Sequence, residues 1–152
     1  MLKRFTVLCH FGIGICLAMA PLGAYVAAAG NPVFSATVLL FSGFVFFWLS
    51  GADIIYAVLD IESDRRTGIH SIPARLGATG ALWVAAGVHM CALVCMAALL
   101  RVVHAGALSI AAFAVTVALF VVMHLPFMPV DKRFFPISTL AGIAGAITPL
   151  LS

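Results

Sequence analysis

Five long apolar runs restrict the folds open to this sequence more than any other feature. A helix needs about 20 residues to cross roughly 30 Å of hydrocarbon, and each run approaches that length. Helices are expected because backbone in lipid must satisfy its own hydrogen bonds, and the period-two alternation of a membrane barrel is absent. The sequence therefore predicts an all-α, multi-pass transmembrane bundle with about five spans, at 5–29, 33–52 (continuing amphipathically to 59), 78–100, 105–124 and 136–151.

Composition supports lipid as the main solvent of this chain. Hydrophobic residues make up 64% of the 152 and charged residues 9%, whereas soluble domains are near half apolar and about a quarter charged. The net charge of +3 comes with no basic stripe or aromatic platform, so nucleic-acid binding is not indicated. Because neither an internal repeat nor a second domain is evident, residues 1–152 are interpreted as one transmembrane domain.

The basic residues are distributed unequally between the two sides of the predicted bundle. With five spans, one side receives seven of the 8 Lys and Arg residues and the other receives only Arg101. An excess of positive charge in short loops marks the cytoplasmic side. The pattern predicts an integral membrane protein whose cytoplasmic side carries Lys3, Arg4, Arg65, Arg66, Arg75, Lys132 and Arg133. We expect the membrane to be a bacterial inner membrane.

Four of the 5 acidic residues lie in one short segment, DIIYAVLDIESDRRTGIHSIPARLG, which follows the second apolar run. Asp53, Asp60 and Asp64 are spaced i, i+7, i+11. On a continuing helix, at about 100° per residue, they fall within an arc of about 40°, with Tyr56 roughly 60° away. The spacing therefore predicts three carboxylates on one helix face at the cytoplasmic boundary of the membrane.

Such a cluster of acids is unfavourable unless a cation binds to it. Two carboxylates about 6 Å apart repel by roughly 0.7 kcal/mol in water and about 3 kcal/mol at an effective dielectric of 20. Acids near a helix C-terminus also oppose the helix dipole. Oxygen ligands without nearby Cys or His suit Mg²⁺, which makes Asp60, Asp64 and Asp53 the candidate metal ligands. The alternative is a solvated helix end.

Three arginines follow the acids and fit the same interpretation. Arg65, Arg66 and Arg75 could hold a diphosphate beside a Mg²⁺ ion, although each could equally be a positive-inside anchor. Gly68, Ser71 and Pro73 indicate a structured loop between them. The cysteines are interpreted as small packing residues, and the aromatics Trp48, Trp83, Phe134 and Phe135 as lipid-facing, packing or interfacial residues. His10, His89 and His124 are interpreted as interfacial or hydrogen-bonded residues in or near helix ends.

The acid-rich segment resembles a known motif. The pattern D-x-x-Y-x-x-x-D-x-x-x-D-x-x-x-G-x-x-S, which runs from Asp53 to Ser71, is similar to the second Asp-rich motif of the UbiA family of intramembrane prenyltransferases. The flanking sequences LKRFTVLCHFGIG and HSIPARLG are similar to those of members that attach a polyprenyl chain to 4-hydroxybenzoate or a related aromatic acid in ubiquinone or menaquinone biosynthesis.

The resemblance implies a fold and a reaction. Family members usually form a bundle of nine spans around a cavity that opens to the cytoplasm, and two Asp-rich motifs bind Mg²⁺ and the diphosphate of a polyprenyl donor. By this resemblance Asp60, Asp64 and Tyr56 are the catalytic residues: the two aspartates bind Mg²⁺, and Tyr56 lines the cavity near the diphosphate. Asp53 supports the metal or the aromatic acceptor. Ser71 joins the three arginines as a candidate diphosphate ligand.

One departure from the family pattern affects the expected activity. The first motif, N-D-x-x-D-x-x-x-D, does not occur in the sequence, and the only acid outside the cluster is Asp131. The chain thus resembles the C-terminal half of the enzyme, and we expect it to have little activity without a second chain that carries the first motif. The alternatives are a non-catalytic remnant or partner subunit and, less favoured, a CDP-alcohol phosphotransferase, whose D-G-x-x-A-R element is absent.

Overall fold

The computed structural model describes residues 6, 8–125 and 129–151. Within this part every regular element is helical, and five stretches are long and apolar enough to cross a membrane. The prediction of an all-α bundle with five spans is therefore confirmed. The elements are α1 (Cys9–Ala29), α2 (Ala36–Tyr56), a 3-10 turn (Ala57–Asp60), α3 (Ile61–Arg66), α4 (Ile72–Val102), α5 (Ala107–His124), α6 (Val130–Ile147) and a final 3-10 turn (Thr148–Leu151).

Two helices begin earlier than the apolar pattern predicts. Helix α6 begins at Val130 and continues through Pro136, while the part of the chain suited to cross the membrane, Phe134–Leu151, agrees with the predicted span at 136–151. Proline inside a membrane helix is tolerated because neighbouring groups can satisfy the backbone that it frees. Helix α4 begins at Ile72 and contains one non-helical residue, Gly77, at φ 73° and ψ 176°. The predicted span at 78–100 corresponds to the part of α4 that follows Gly77.

Ser35 and Gly30 define the two helix ends at the α1–α2 connection. The Ser35 side chain accepts a hydrogen bond from the Val38 amide at the start of α2, at 3.4 Å, which satisfies one of the free amides of a first helical turn. Gly30 ends α1 in the left-handed conformation, with φ 69°, and its amide bonds to the Val26 carbonyl. The turn Gly30-Asn31-Pro32 that the sequence indicates is therefore where α1 ends.

Helix α2 lies at the centre of the bundle, packed on one side against α1 and on the other against α4, while α5 pairs with α6. Phe44 is the main aromatic contact of the core: its ring stacks on Trp48 at 6.0 Å and on Phe120 at 6.5 Å. Conversely, Trp83 of α4 is 76% exposed. Exposed apolar side chains of this kind are expected on a surface whose solvent is lipid.

Helices α1 and α2 cross closely at Gly14. A Cβ atom added there would lie 2.1 Å from the Ser50 Oγ and 2.7 Å from the Phe46 carbonyl oxygen. Small residues commonly permit such approaches between membrane helices, where packing rather than hydrophobic burial drives association. Gly14 therefore sets the separation of α1 from α2.

We expect Gly14→Ala to lower the stability of the bundle by about 1–3 kcal/mol, because the added methyl group overpacks the contact with the backbone of α2. Gly23→Ala is a matched control on the same helix, since nothing lies within 4 Å of an added Cβ there. Thermal unfolding in detergent measures both variants. Equal melting temperatures for the two variants would contradict the close contact.

Candidate active site

The helix that carries the acidic residues is interrupted. Helix α2 ends at Tyr56, a 3-10 turn covers Ala57–Asp60, and α3 begins at Ile61. Since a 3-10 helix advances about 120° per residue rather than 100°, four such residues rotate Asp60 about 80° away from its predicted position. The prediction of one continuous helix with three aligned carboxylates is therefore wrong. Helices often tighten in this way at the last turn, where carbonyls lack partners in the next turn.

Asp53 is paired with a residue of another helix. Its Oδ2 lies 2.6 Å from the Nδ1 of His10, which is fully buried in α1, while the Asp53 side chain keeps 21% of its exposure. A buried carboxylate is costly unless it is hydrogen-bonded. The structure thus places Asp53 with His10 and does not bring it into a metal cluster with Asp60 and Asp64.

Asp64 is the most deeply buried of the acidic side chains in α3 and the preceding turn. It is 5% exposed, and its Oδ2 is buried without a hydrogen-bond partner among the described residues. Asp60, one helical turn earlier, is half-buried, and its side chain caps no amide of α3. A buried anionic oxygen without a partner is unfavourable, so Asp64 and Asp60 present oxygens that a cation would satisfy.

The described part of the chain contains no group of three or more His, Cys, Asp or Glu side chains that could hold a metal ion. Two carboxylates nevertheless suit Mg²⁺, which commonly takes one or two protein oxygens and completes its shell with water and substrate phosphates. The donor set at Asp60 and Asp64 therefore fits part of a Mg²⁺ site. The roles of the individual side chains remain predictions.

The arginines lie around the same turn with different contacts. Arg65 Nε donates to the Ala74 carbonyl at 2.8 Å, which ties α3 to the start of α4. Arg66 Nη2 lies 3.5 Å from Glu62 Oε2, and solvent screens this pair because both side chains are exposed. Arg75 is exposed. Arg66 and Arg75 are therefore available to an anionic ligand, whereas Arg65 also has a structural contact.

Ser71, a predicted diphosphate ligand, has a structural contact. It is fully buried, and its Oγ accepts a hydrogen bond from the Ala74 amide at 3.2 Å as the N-cap of α4. Such a cap contributes about 1 kcal/mol. Whether Ser71 also contacts a diphosphate remains a prediction, and substitution can separate the two roles.

We expect Ser71→Ala to lower the free energy of unfolding by about 1 kcal/mol, because the Ala74 amide loses its acceptor. Ser71→Asn should retain most of this stabilisation, since Asn also caps helices well. Thermal unfolding in detergent measures both. A loss of ligand affinity in the Asn variant at unchanged stability would support direct contact between Ser71 and the ligand.

A groove of about 680 Å³ adjoins the acid-rich turn, between α1, α2 and α6. Most of its wall is apolar, and Asp53 and Tyr56 supply polar groups. The Tyr56 ring lies 5.6 Å from the ring of Phe134 and 5.6 Å from that of Phe135. The lining residues are Ile13, Trp48, Leu49, Ala52, Asp53, Tyr56, Phe134, Phe135, Ser138, Thr139, Gly142, Ile143 and Ala146.

Three features of this site are not evident in the sequence. No spacing rule joins His10 to Asp53 across 43 positions. Phe134 is buried, and both it and Phe135 contact Tyr56, whereas the sequence suggested general packing or interfacial aromatics. Trp48 lines the groove. The only sequence signal for the first feature was a histidine in an otherwise apolar helix.

The other membrane histidines are hydrogen-bonded, but His89 is buried in the middle of α4 and not near a helix end as predicted. His89 Nδ1 lies 3.0 Å from His124 Nε2, and His89 Nε2 lies 3.1 Å from the Trp48 carbonyl oxygen. Because a carbonyl can only accept, His89 Nε2 is the donor in that bond. This pair joins α4 to α5 and α2, on a different side of α2 from the groove.

Comparison with known proteins agrees with these observations. The model of the UbiA prenyltransferase family matches residues 1–133. The apo structure of a UbiA homolog from Aeropyrum pernix K1 is similar to the chain, with 30% sequence identity and a TM-score of 0.78 over 98% of this chain and 56% of that one. The chain therefore spans little more than half of that structure, as the sequence suggested. A search of curated proteins gives no match. The fold, the acid-rich motif and the extent of the family match together establish that this chain belongs to the UbiA prenyltransferase family.

Proposed function

We propose that this chain forms one part of a Mg²⁺-dependent prenyltransferase. The reaction is transfer of a polyprenyl group from polyprenyl diphosphate to an aromatic acid, 4-hydroxybenzoate or a relative, in ubiquinone or menaquinone biosynthesis. The observation that carries the proposal is the buried Oδ2 of Asp64, which has no hydrogen-bond partner among the described residues and lies one turn from Asp60 in a member of this family. The same acid-rich segment contributes Asp53 and Tyr56 to the apolar groove.

Asp60 and Asp64 are the residues that would hold the metal. Bound Mg²⁺ would offset the negative charge of the diphosphate and make it a better leaving group. Arg66 and Arg75, with the Nη groups of Arg65, would hold the diphosphate oxygens, because a guanidinium can bind phosphate through two hydrogen bonds. Asp53, already bonded to His10, is better suited to the acceptor side of the site.

The groove would accommodate the isoprenoid chain and exclude water. The carbon–oxygen bond of the allylic diphosphate breaks, a bond forms between the allylic carbon and the aromatic ring, and the ring loses a proton. Positive charge that develops on the allylic carbon is stabilised by the faces of aromatic rings, and Trp48, Tyr56 and Phe134 line the groove. Exclusion of water protects this carbon from hydrolysis.

We further propose that the acid-rich end faces the cytoplasm at a bacterial inner membrane and that a second chain supplies the first Asp-rich motif. Because the five spans cross the membrane in alternating directions, the α2–α4 and α5–α6 connections lie at the same end of the bundle. Arg65, Arg66 and Arg75 lie at this end, and Arg101 lies at the opposite one. Lys3 and Arg4, and the side chains of Lys132 and Arg133, lie outside the described residues.

A non-catalytic subunit is the second candidate function. The observation that favours it is that the sequence contains only one acid-rich motif. Such a subunit would retain the groove and could bind prenyl lipid without transferring it.

An activity assay distinguishes these functions. Two membrane samples are prepared from cells that lack an endogenous prenyltransferase. The first contains this chain alone, and the second contains this chain co-expressed with a second chain that carries the N-D-x-x-D-x-x-x-D motif. Each would receive Mg²⁺, labelled geranyl diphosphate and 4-hydroxybenzoate or a naphthoate acceptor. We expect Mg²⁺-dependent product in the co-expressed sample. Product from the chain alone would contradict the need for a second chain, and no product in either sample would contradict prenyl transfer.

A further inference from the structure

A His–Asp hydrogen bond joins α1 to the wall of the groove. His10 is fully buried, and its Nδ1 lies 2.6 Å from Asp53 Oδ2. The two residues are 43 positions apart, so the contact depends on the packing of α1 against α2. Asp53 also lines the groove. The pair therefore connects a buried side chain with a carboxylate that a ligand in the groove can reach.

The hydrogen bond from His10 fixes one oxygen of the Asp53 carboxylate and leaves the other oxygen able to bind a ligand. His10 Nδ1 donates to Oδ2, and no hydrogen bond from another described residue reaches Oδ1. Such charge-assisted bonds are short and directional, so His10 restricts the rotation of the carboxylate. An aspartate in an apolar wall would otherwise be poorly oriented, since its other neighbours in the groove are mostly apolar.

The surroundings of Asp53 differ from those of the acids in the turn. Asp53 belongs to no cluster of three or more potential ligands in the described part of the chain, and the 3-10 turn separates it from Asp60 and Asp64. It shares the groove with Tyr56. A carboxylate in this position is suited to a hydrogen-bond donor on an aromatic ligand, such as a phenolic hydroxyl.

We infer that His10 is a positioning residue for the aromatic acceptor: it holds Asp53 so that the remaining oxygen accepts the hydrogen bond of the acceptor's phenolic hydroxyl. The inference rests on the proposed function. It assigns the His10–Asp53 pair to binding of the acceptor, and it assigns Asp60 and Asp64 to binding of the diphosphate. Loss of the pair should thus affect one substrate and not the other.

The test compares His10 variants in the assembled protein. His10→Leu removes the hydrogen-bond donor. His10→Asn and His10→Gln each keep an N–H donor, and their side chains differ in length by one methylene group. We expect His10→Leu to raise the KM for 4-hydroxybenzoate about tenfold or more, the usual cost of a lost charged hydrogen bond. The KM for geranyl diphosphate should change less than about twofold, and at least one amide variant should restore most of the acceptor KM. His104→Leu, on the exposed α4–α5 connection, is the control and should change neither.

A binding measurement separates this inference from the proposed reaction. Calorimetry would compare 4-hydroxybenzoate with benzoate, which lacks the hydroxyl. We expect the first to bind more tightly to the unsubstituted protein and the difference to disappear in His10→Leu. If that variant does not fold, Asp53→Asn serves in its place with the same expectation. A preference for 4-hydroxybenzoate that survives these changes, or equal increases in both KM values, would overturn the inference. Absence of turnover with an intact binding preference would contradict the proposed function alone.

Discussion

Replacing Asp64 by Asn is expected to weaken Mg²⁺-dependent binding of a prenyl diphosphate about a hundredfold. Asp64 is 5% exposed and its Oδ2 is unpartnered among the described residues, so a bound cation would be its main source of stabilisation. Loss of a buried charged contact costs about 3 kcal/mol, which corresponds to this factor. Titration with a non-hydrolysable prenyl diphosphate, at several Mg²⁺ concentrations, measures the effect.

The same variant should have the opposite effect on the protein without ligand. A buried carboxylate without a partner, one turn from another carboxylate, opposes folding. Asp64→Asn is therefore expected to raise the melting temperature in the absence of Mg²⁺ and to abolish the further rise that Mg²⁺ and the diphosphate produce. Glu62→Gln is the matched control, since Glu62 belongs to the same helix but is exposed. A lower melting temperature in Asp64→Asn would identify Asp64 as a structural residue.

Substitution of Gly142 by Ala should obstruct the groove. A Cβ atom there would lie 2.1 Å from Cη2 and 2.3 Å from Cζ2 of Trp48, so the indole ring must move. Because Trp48 and Gly142 both line the groove, we expect prenyl diphosphate affinity to fall about tenfold and stability to fall by about 1–3 kcal/mol.

A second substitution should relieve this obstruction. Trp48→Phe removes the six-membered part of the indole that Gly142 contacts, so the Gly142→Ala/Trp48→Phe protein should recover affinity relative to Gly142→Ala alone. Gly87→Ala is the control on α4, where nothing lies within 4 Å of an added Cβ. Additive losses in the double variant would show that the two residues act independently.

The membrane fold could be predicted because its signal is local. Runs of apolar residues near the length of a membrane span identify all five membrane-spanning stretches of the described residues, since lipid requires the same composition of every span. The ends were less predictable. Helix α6 extends back to Val130 through polar residues and Pro136, and α2 changes to a 3-10 turn at Ala57, because backbone geometry near an interface depends on tertiary contacts.

The candidate site was predicted in part. The spacing from Asp53 to Ser71 identified the segment, because the residue types for Mg²⁺ and phosphate binding occur together there. It did not predict that Asp53 would pair with His10 or that Asp64 would be the buried acid. Both facts depend on how α1, α2 and α4 pack, and side-chain pairs far apart in sequence carry no periodic signal.

In the proposed enzyme, Asp60 and Asp64 hold an ion that contacts the diphosphate. Pulsed electron paramagnetic resonance, with Mn²⁺ in place of Mg²⁺ and a prenyl diphosphate analogue bound to the assembled protein in lipid nanodiscs, tests it most directly. We predict a ³¹P hyperfine coupling to the bound Mn²⁺ that disappears in the Asp60→Asn/Asp64→Asn protein. A coupling that persists in this variant, or only the spectrum of hydrated Mn²⁺ in the unsubstituted protein, would contradict the account.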